Sequence, residues 1–200
     1  MTPLLSASLN GHEGVVRMLL ERKDVNPNKQ GLFGFVPLQV ASEEDNEGIV
    51  RMLLERKDVD PNKKGWFGFT SLIRASLNGH ERIVRALLER SDVNPNQRAL
   101  FGITPLQSAS ESGHEGVVRA LLERSDINPD KPGLCSMTPL MRASDEGHEG
   151  VVRVLLERGD VNPDKQGIFG VTPLSLASLG GHGGIVRMLQ ERHRSLHPPQ

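Results

Sequence analysis

Apolar positions along this chain fall in short blocks separated by polar and turn-forming stretches. In the first block Leu4, Ala7 and Ser8 stand at i, i+3 and i+4, which on a helix makes one narrow face of small residues suited to close approach. Thr2 can cap the helix and Pro3 can occupy its first position without losing a hydrogen bond, and Gly11 ends it. In the second block Val15, Val16, Leu19 and Leu20 form an apolar stripe, while Glu13, Arg17 and Glu21 recur every four residues on another face. This pattern predicts a second helix from about Glu13 to Arg22, stopped by Asp24, Asn26 and Pro27. Helices shorter than roughly 12–15 residues are marginal alone in water, so both stripes must be buried against something else.

That something is another copy. The triplets Thr2-Pro3-Leu4, Val36-Pro37-Leu38, Thr70-Ser71-Leu72, Thr104-Pro105-Leu106, Thr138-Pro139-Leu140 and Thr172-Pro173-Leu174 fall on one 34-residue spacing. Ala-Ser, Gly-His, Val-Val-Arg or Ile-Val-Arg, Leu-Leu-Glu-Arg and Asp-Val-Asn-Pro keep register between them. The prediction is an all-α repeat solenoid of six units, each a helix pair plus an extended arm, held by nearest-neighbour contacts.

Composition narrows the function classes. A net charge of -1 and a pI near 6.7 lack the basic excess of a phosphate binder, so no nucleic-acid partner is expected. The single cysteine, Cys135, cannot close an internal disulfide, and no Asn-x-Ser/Thr acceptor occurs. No apolar run reaches the roughly 18 residues of a membrane span, and Met1–Gly14 lacks the features of a signal peptide. These features point to an intracellular, cytoplasmic protein, with the nucleus left open, and to no membrane partner.

The segment TPLQSASESGHEGVVRALLERSDINPD resembles the ankyrin repeat. The block TPLxxAxxxGHxxVVxxLL is intact in repeats one, four and five. Repeat six has Ile for the first Val, repeat two has Asp45-Asn46 for Gly-His, and repeat three has Ser71 for proline. The resemblance implies one ankyrin domain over residues 1–192, with repeats 2–35, 36–69, 70–103, 104–137, 138–171 and 172–192 and a tail over 193–200. It further implies an L-shaped stack with β-hairpin fingers at right angles to the helix pairs, and a concave recognition groove formed by fingers and first helices.

Three departures from the family pattern stand out. The histidine that follows Thr-Pro-Leu is replaced by Leu5, Gln39, Ile73, Gln107, Met141 and Ser175, so a polar link between loops should be missing. Gly-Ala after the second helix has become Lys-Asp-Val or Ser-Asp-Val, with only Gly159 surviving. The fingers are long and read GLFGF, GWFGF, ALFGI, GLCSM and GIFGV. This pattern is most similar to the expanded ERxDVNPN ankyrin arrays of filamentous fungi, which often lie behind a nucleotide-binding module in receptor-like proteins.

No constellation of residues points to catalysis or to a cofactor. His12, His80, His114, His148 and His182 occupy one column at repeat spacing, with roughly 8–10 Å between packed helices, too far apart to share a metal; each is expected to bridge the interhelix turn and the next repeat. The column Arg17, Arg51, Arg85, Arg119, Arg153 and Arg187 alternates with glutamates and reads as a solvated ion-pair face. Gly180–Gly184 lacks the Gly-Lys-Ser/Thr of a phosphate loop, and Ser8 and its equivalents lie on the packed face. Cys135 stands where phenylalanine stands in the other fingers, as a small apolar replacement.

Positions that vary among the copies mark the candidate binding surface. Val40, Arg74, Ser108 and Arg142 fall in one first-helix column, and Leu77, Glu111 and Asp145 in another. The finger tips add Leu32, Trp66, Phe67 and Leu100, one residue of each apolar pair packing on the next finger. Lys29, Lys63, Lys64, Arg98, Lys131 and Lys165 near the fingers oppose Glu43, Glu44, Glu111, Asp145 and Glu146 on the helices, a bipolar groove suited to a protein segment of mixed charge. Drift on a solvated face would give the same variation. Leu4, Leu5 and Leu9 are expected to lack shielding from an earlier repeat, which opens self-association as an alternative to a monomer. The reading is a non-catalytic protein-interaction scaffold. The alternatives are a sensing or autoinhibitory segment of a larger NACHT/STAND-type receptor, and a fragment or spacer without a specific partner.

Overall fold

The computed structural model describes residues 1–197; Pro198, Pro199 and Gln200, the end of the expected tail, lie outside the described residues. Twelve α-helices follow one another in pairs: α1 (Pro3–Leu9) and α2 (Glu13–Leu20), α3 (Pro37–Glu43) and α4 (Glu47–Glu55), α5 (Ser71–Leu77) and α6 (Glu81–Leu88), α7 (Pro105–Glu111) and α8 (Glu115–Leu122), α9 (Pro139–Asp145) and α10 (Glu149–Glu157), α11 (Pro173–Leu179) and α12 (Gly183–Leu196). Thr2, Thr70, Thr104, Thr138 and Thr172 each accept a hydrogen bond from the third helical amide, as an N-cap threonine should, in repeat three with Ser71 in place of proline. The second helix of repeat one ends at Leu20, two residues before the expected Arg22. α12 instead runs on to Leu196, so the expected boundary at residue 192 falls inside a helix.

First helices pack against first helices and second helices against second helices. Ala41, Ala75, Ala109, Ala143 and Ala177 are fully buried and allow the first helices to approach closely. Between the two layers lie Leu38, Ile49, Leu53, Leu72, Ile83, Leu87, Leu106, Leu121, Leu140 and Leu155, buried to within a few percent. Each such side chain contributes about 1.5–3 kcal/mol of transfer free energy, which no single pair of short helices could collect alone. Leu4 and Leu5 are also buried, contrary to the expectation for the first repeat, while Leu9 is exposed as expected, as are Met1, Val15 and Met18 on the same helix pair and its N-terminal flank.

The arms are not β-hairpins, and no strand occurs among the described residues. Each arm instead turns through a short 3-10 segment: Leu32–Gly34, Trp66–Gly68, Leu100–Gly102, Leu134–Ser136 and Ile168–Gly170. In the first arm the Gly31 amide donates to the Phe35 carbonyl at 2.8 Å across the loop, and the Gly34 and Phe35 amides bond within the turn to the Gly31 and Leu32 carbonyls at 3.1 and 3.4 Å. Side chains of neighbouring repeats bond to further main-chain groups of the arms.

Four polar ladders supply those bonds. Asn28 Nδ2 donates to the Asp58 carbonyl at 2.6 Å and its Oδ1 accepts from the Asp60 amide at 2.8 Å. Asn62 and Asn96 repeat this one and two units on. Arg56, Arg124 and Arg158 cap the preceding second helix by donating to the carbonyls of Leu20, Leu88 and Leu122 at 3.0, 3.2 and 2.7 Å, where a helix leaves carbonyls without partners and favours a cation. Each of these arginines also pairs with the aspartate two residues later, which its hydrogen bonds hold below the usual carboxylate range. The recurring Arg-x-Asp-x-x-Pro-Asn is therefore a double clamp and not merely a helix stop.

The other two ladders revise expectations. His80, His114, His148 and His182 place Nε2 2.9–3.0 Å from the carbonyls of Glu43, Leu77, Glu111 and Asp145, so they reach the preceding repeat and not the next one. A carbonyl only accepts, so Nε2 carries the proton. In repeat two Asn46 does the same work, donating to the Ser8 carbonyl at 3.2 Å. The polar link expected to be missing after Thr-Pro-Leu is supplied by glutamine: Gln39 Nε2 donates to the Lys63 and Phe69 carbonyls at 2.7 and 2.8 Å, and Gln107 Nε2 to those of Lys131 and Met137 at 3.2 and 2.8 Å.

Candidate interaction surface

Phe33, Phe67, Phe101, Cys135 and Phe169 at the arm tips all adopt φ between 53° and 60°, the left-handed region that costs an L-residue about 1–2 kcal/mol. Four of the five are followed by a glycine that is also left-handed, which permits the tight reversal; Ser136 takes that place in the fourth arm, at φ 57°. The reversal turns the tip side chains outward. Leu32, Leu100, Leu134 and Ile168 are exposed beside Phe33, Phe101, Cys135 and Phe169, the last of these fully. Both members of each apolar pair are exposed, and the packing on the next finger expected of one member of each pair is found for Phe33, against Trp66.

Trp66 combines the two expected roles. Its ring stacks on Phe33 of the preceding arm at 4.5 Å and on Phe67 at 5.1 Å, with Phe35 edge-on at 6.3 Å. It still leaves 42% of its surface exposed. The first and second arms thus share an aromatic cluster.

On the first helices the candidate positions divide. Val40 and Ser108 are 6% and 2% exposed and present nothing to a partner. Their column lies between adjacent first helices, and only a long side chain placed there reaches out. Arg74 does so, pairing with Glu43 at 2.7 Å while its guanidinium lies 4.8 and 5.2 Å from the rings of Phe35 and Phe69. Arg142 lies 3.7 Å from Glu111. Leu77, Glu111 and Asp145 are exposed on the neighbouring column. Arg74 therefore joins the first-helix face to the arms, and the surviving candidates lie along this joined face.

A family model described as "Ankyrin repeats (3 copies)" matches residues 1–65, 38–132, 72–167 and 126–197. The chain belongs to the ankyrin-repeat family. The crystal structure of EF0377, an ankyrin repeat protein, superposes with a TM-score of 0.88 at 23% identity, covering 94% of this chain and 96% of that one. An ankyrin repeat domain (ABAYE2397) from Acinetobacter baumannii AYE gives 0.86 at 26% identity, covering 96% of this chain and 97% of that one. No curated protein matches the chain. Ankyrin repeats are generally protein–protein interaction modules, and their family and fold are typically non-catalytic.

The rest of this ankyrin array is occupied with its own stacking. Among the finger cations, Lys64 Nζ donates to the Arg98 carbonyl at 2.9 Å and Arg98 to the Pro132 carbonyl at 2.7 Å, continuing a ladder begun by Gln30 on the Lys64 carbonyl at 3.1 Å. Lys165 Nζ donates to the Asp130 carbonyl at 3.1 Å. The basic side of the expected bipolar groove is thereby partly consumed. On the second helices Arg51, Arg85 and Arg119 each bridge a glutamate one turn back and another in the next repeat, and shallow clefts of about 300 Å³ between them are lined by residues such as Arg85, Leu88, Glu123 and Arg124. The Ser8, Ser76, Ser110 and Ser144 hydroxyls are buried on the packed face. No described helix is long and apolar enough to cross a membrane.

Proposed function

We propose that this ankyrin array is a non-catalytic intracellular scaffold that binds an extended protein segment along the arm tips and the adjoining first helices. The observation that supports the reading most is the set of arm tips: four exposed phenylalanines held in a strained left-handed conformation, two of them stacked on a half-exposed tryptophan. Strain and apolar exposure both cost stability, and neither serves the stack except where Trp66 meets Phe33. Aromatic side chains in such a setting are the residue type that dominates interface energetics. Glu44, Glu111, Asp145 and Glu146 are exposed on the first helices, whereas Lys64, Arg98 and Lys165 are engaged with main-chain carbonyls. The segment that fits is therefore one with apolar anchors flanked by Lys or Arg, bound by the protein as a monomer.

Selection of displayed peptides on the full chain tests this. Ligands should be retained by the wild type and by Arg119→Ala on the second-helix face, and lost with Trp66→Ala combined with Phe67→Ala. Ligands retained equally by all three proteins would place recognition elsewhere and sink the reading.

A further inference from the structure

At the C-terminal end of the array three candidate metal ligands converge that have no counterpart in the earlier repeats. Asp164 occupies the register of Asn28, Asn62, Asn96 and Asp130, the ladder position whose side chain meets the loop of the next repeat. Beyond Asp164 that place is taken by the extension of α12, which carries His193 and ends on His197 as its C-cap. The His197 amide donates to the His193 carbonyl at 3.0 Å, closing the last turn and setting both imidazoles on one face with ring centroids 4.8 Å apart. His193 Nδ1 lies 3.1 and 3.0 Å from the two carboxylate oxygens of Asp164, and His197 Nε2 lies 3.8 Å from Oδ2. One ligand atom from each residue falls within 4.8 Å of the others.

We propose that Asp164, His193 and His197 form a Zn²⁺ site that staples the end of α12 to the last loop. Zinc bound tetrahedrally at about 2.0–2.2 Å from nitrogen and oxygen sets its ligands about 3.3–3.5 Å apart, between the two separations from Oδ2 found here. Two imidazoles and one carboxylate are a donor set that zinc accepts, and the last turn of α12 with its C-cap supplies two of them at i, i+4. All three side chains are exposed, so the ion can enter and a water can complete the coordination. Among the described residues no other group of three candidate ligands converges, and the histidines of the repeat column each stand singly, with Nε2 on a carbonyl of the preceding repeat. The staple adds a cross-link between segments 29 residues apart, where the polar ladders of the array run out.

The test is calorimetric titration of the tag-free, chelator-stripped full chain with Zn²⁺, alongside melting curves and the visible spectrum with Co²⁺. One ion per chain, a raised melting temperature and the absorption bands of tetrahedral Co²⁺ are expected. Asp164→Asn, His193→Gln and His197→Gln should each weaken binding by at least about tenfold, the lower bound for disturbing a metal site. His12→Gln, at an exposed position in the first repeat, should leave it unchanged. Because all four positions are exposed, the variants should keep the wild-type circular dichroism. Absence of uptake at micromolar zinc, or uptake undiminished by all three substitutions, would overturn the proposal.

Discussion

The Asn162 amide donates to Asp130 Oδ2 at 3.0 Å, while Oδ1 of the same carboxyl is buried without a partner among the described residues. At the equivalent positions Asn28, Asn62 and Asn96 turn an Nδ2 donor toward the carbonyl 30 residues on; the counterpart for Asp130 is the Asp160 carbonyl, which an ionised carboxylate cannot serve. Burial pushes the Asp130 carboxyl above its usual range and nearby Asp160 adds to this, opposed by the Asn162 amide and Lys165. Asp130→Asn restores the missing donor and should stabilise the array by about 1 kcal/mol at neutral pH, measured by urea unfolding. A destabilised variant would show that the ladder does not need the donor.

The same site fixes a pH dependence. A raised folded-state value means that the folded protein holds this proton more tightly than the unfolded chain, so stability falls as pH rises through the window above the ordinary aspartate value. Asp58, Asp92, Asp126 and Asp160 are shifted the other way by their arginine hydrogen bonds. Their contribution is present above 3.8 and is lost as pH falls from there toward the lowered values. Stability measured from pH 3 to 7, an interval of about four units around the ordinary aspartate value, should therefore fall less toward high pH in Asp130→Asn than in the wild type, with the acid limb unchanged.

Ser136 is the non-glycine residue at the second left-handed position of an arm tip, where Gly34, Gly68, Gly102 and Gly170 stand elsewhere. Ser136→Gly should raise stability by about 1 kcal/mol, net of the added freedom of the unfolded chain. Thermal unfolding checks it, and a lower melting point would mean that the serine side chain holds the turn.

Gln107 is buried and accepts from the Thr104 amide while donating to two arm carbonyls. Gln107→Met keeps the volume and removes the polar contacts. It should cost about 1–3 kcal/mol, since it strands buried main-chain groups. Repeat five tolerates Met141 at this position, with the Thr138 amide only 3.5 Å from its sulfur, so the chain is expected to remain folded.

The solenoid was legible because its cause is local and repeated: Thr-Pro caps, glycine stops and helical stripes that no single unit can bury. The four ladders were less legible. Asn28, Arg56 and Gln39 act on main-chain groups 24 to 36 residues away, and their side chains carry no sign of that partner in their own neighbourhood. The signal that marks such ladders is a column of polar residues at repeat spacing, which Asn28, Asn62 and Asn96 form as plainly as the histidines do. The β-hairpin expectation failed for a related reason. A hairpin needs facing backbone bonds, and here the left-handed Phe-Gly tip closes the arm before a second pair can form. Val40 and Ser108 were misplaced because variability marks freedom from one packing rule, and a short side chain can vary while still buried between helices.

The only tryptophan of the chain lies within the proposed recognition surface, which makes its emission the most direct test of the central claim. Titration of a selected peptide into the wild-type protein should shift Trp66 emission to shorter wavelength and reduce its quenching by iodide, saturating with the same dissociation constant as calorimetry. Saturable binding that leaves the emission and quenching of Trp66 unchanged would contradict the account.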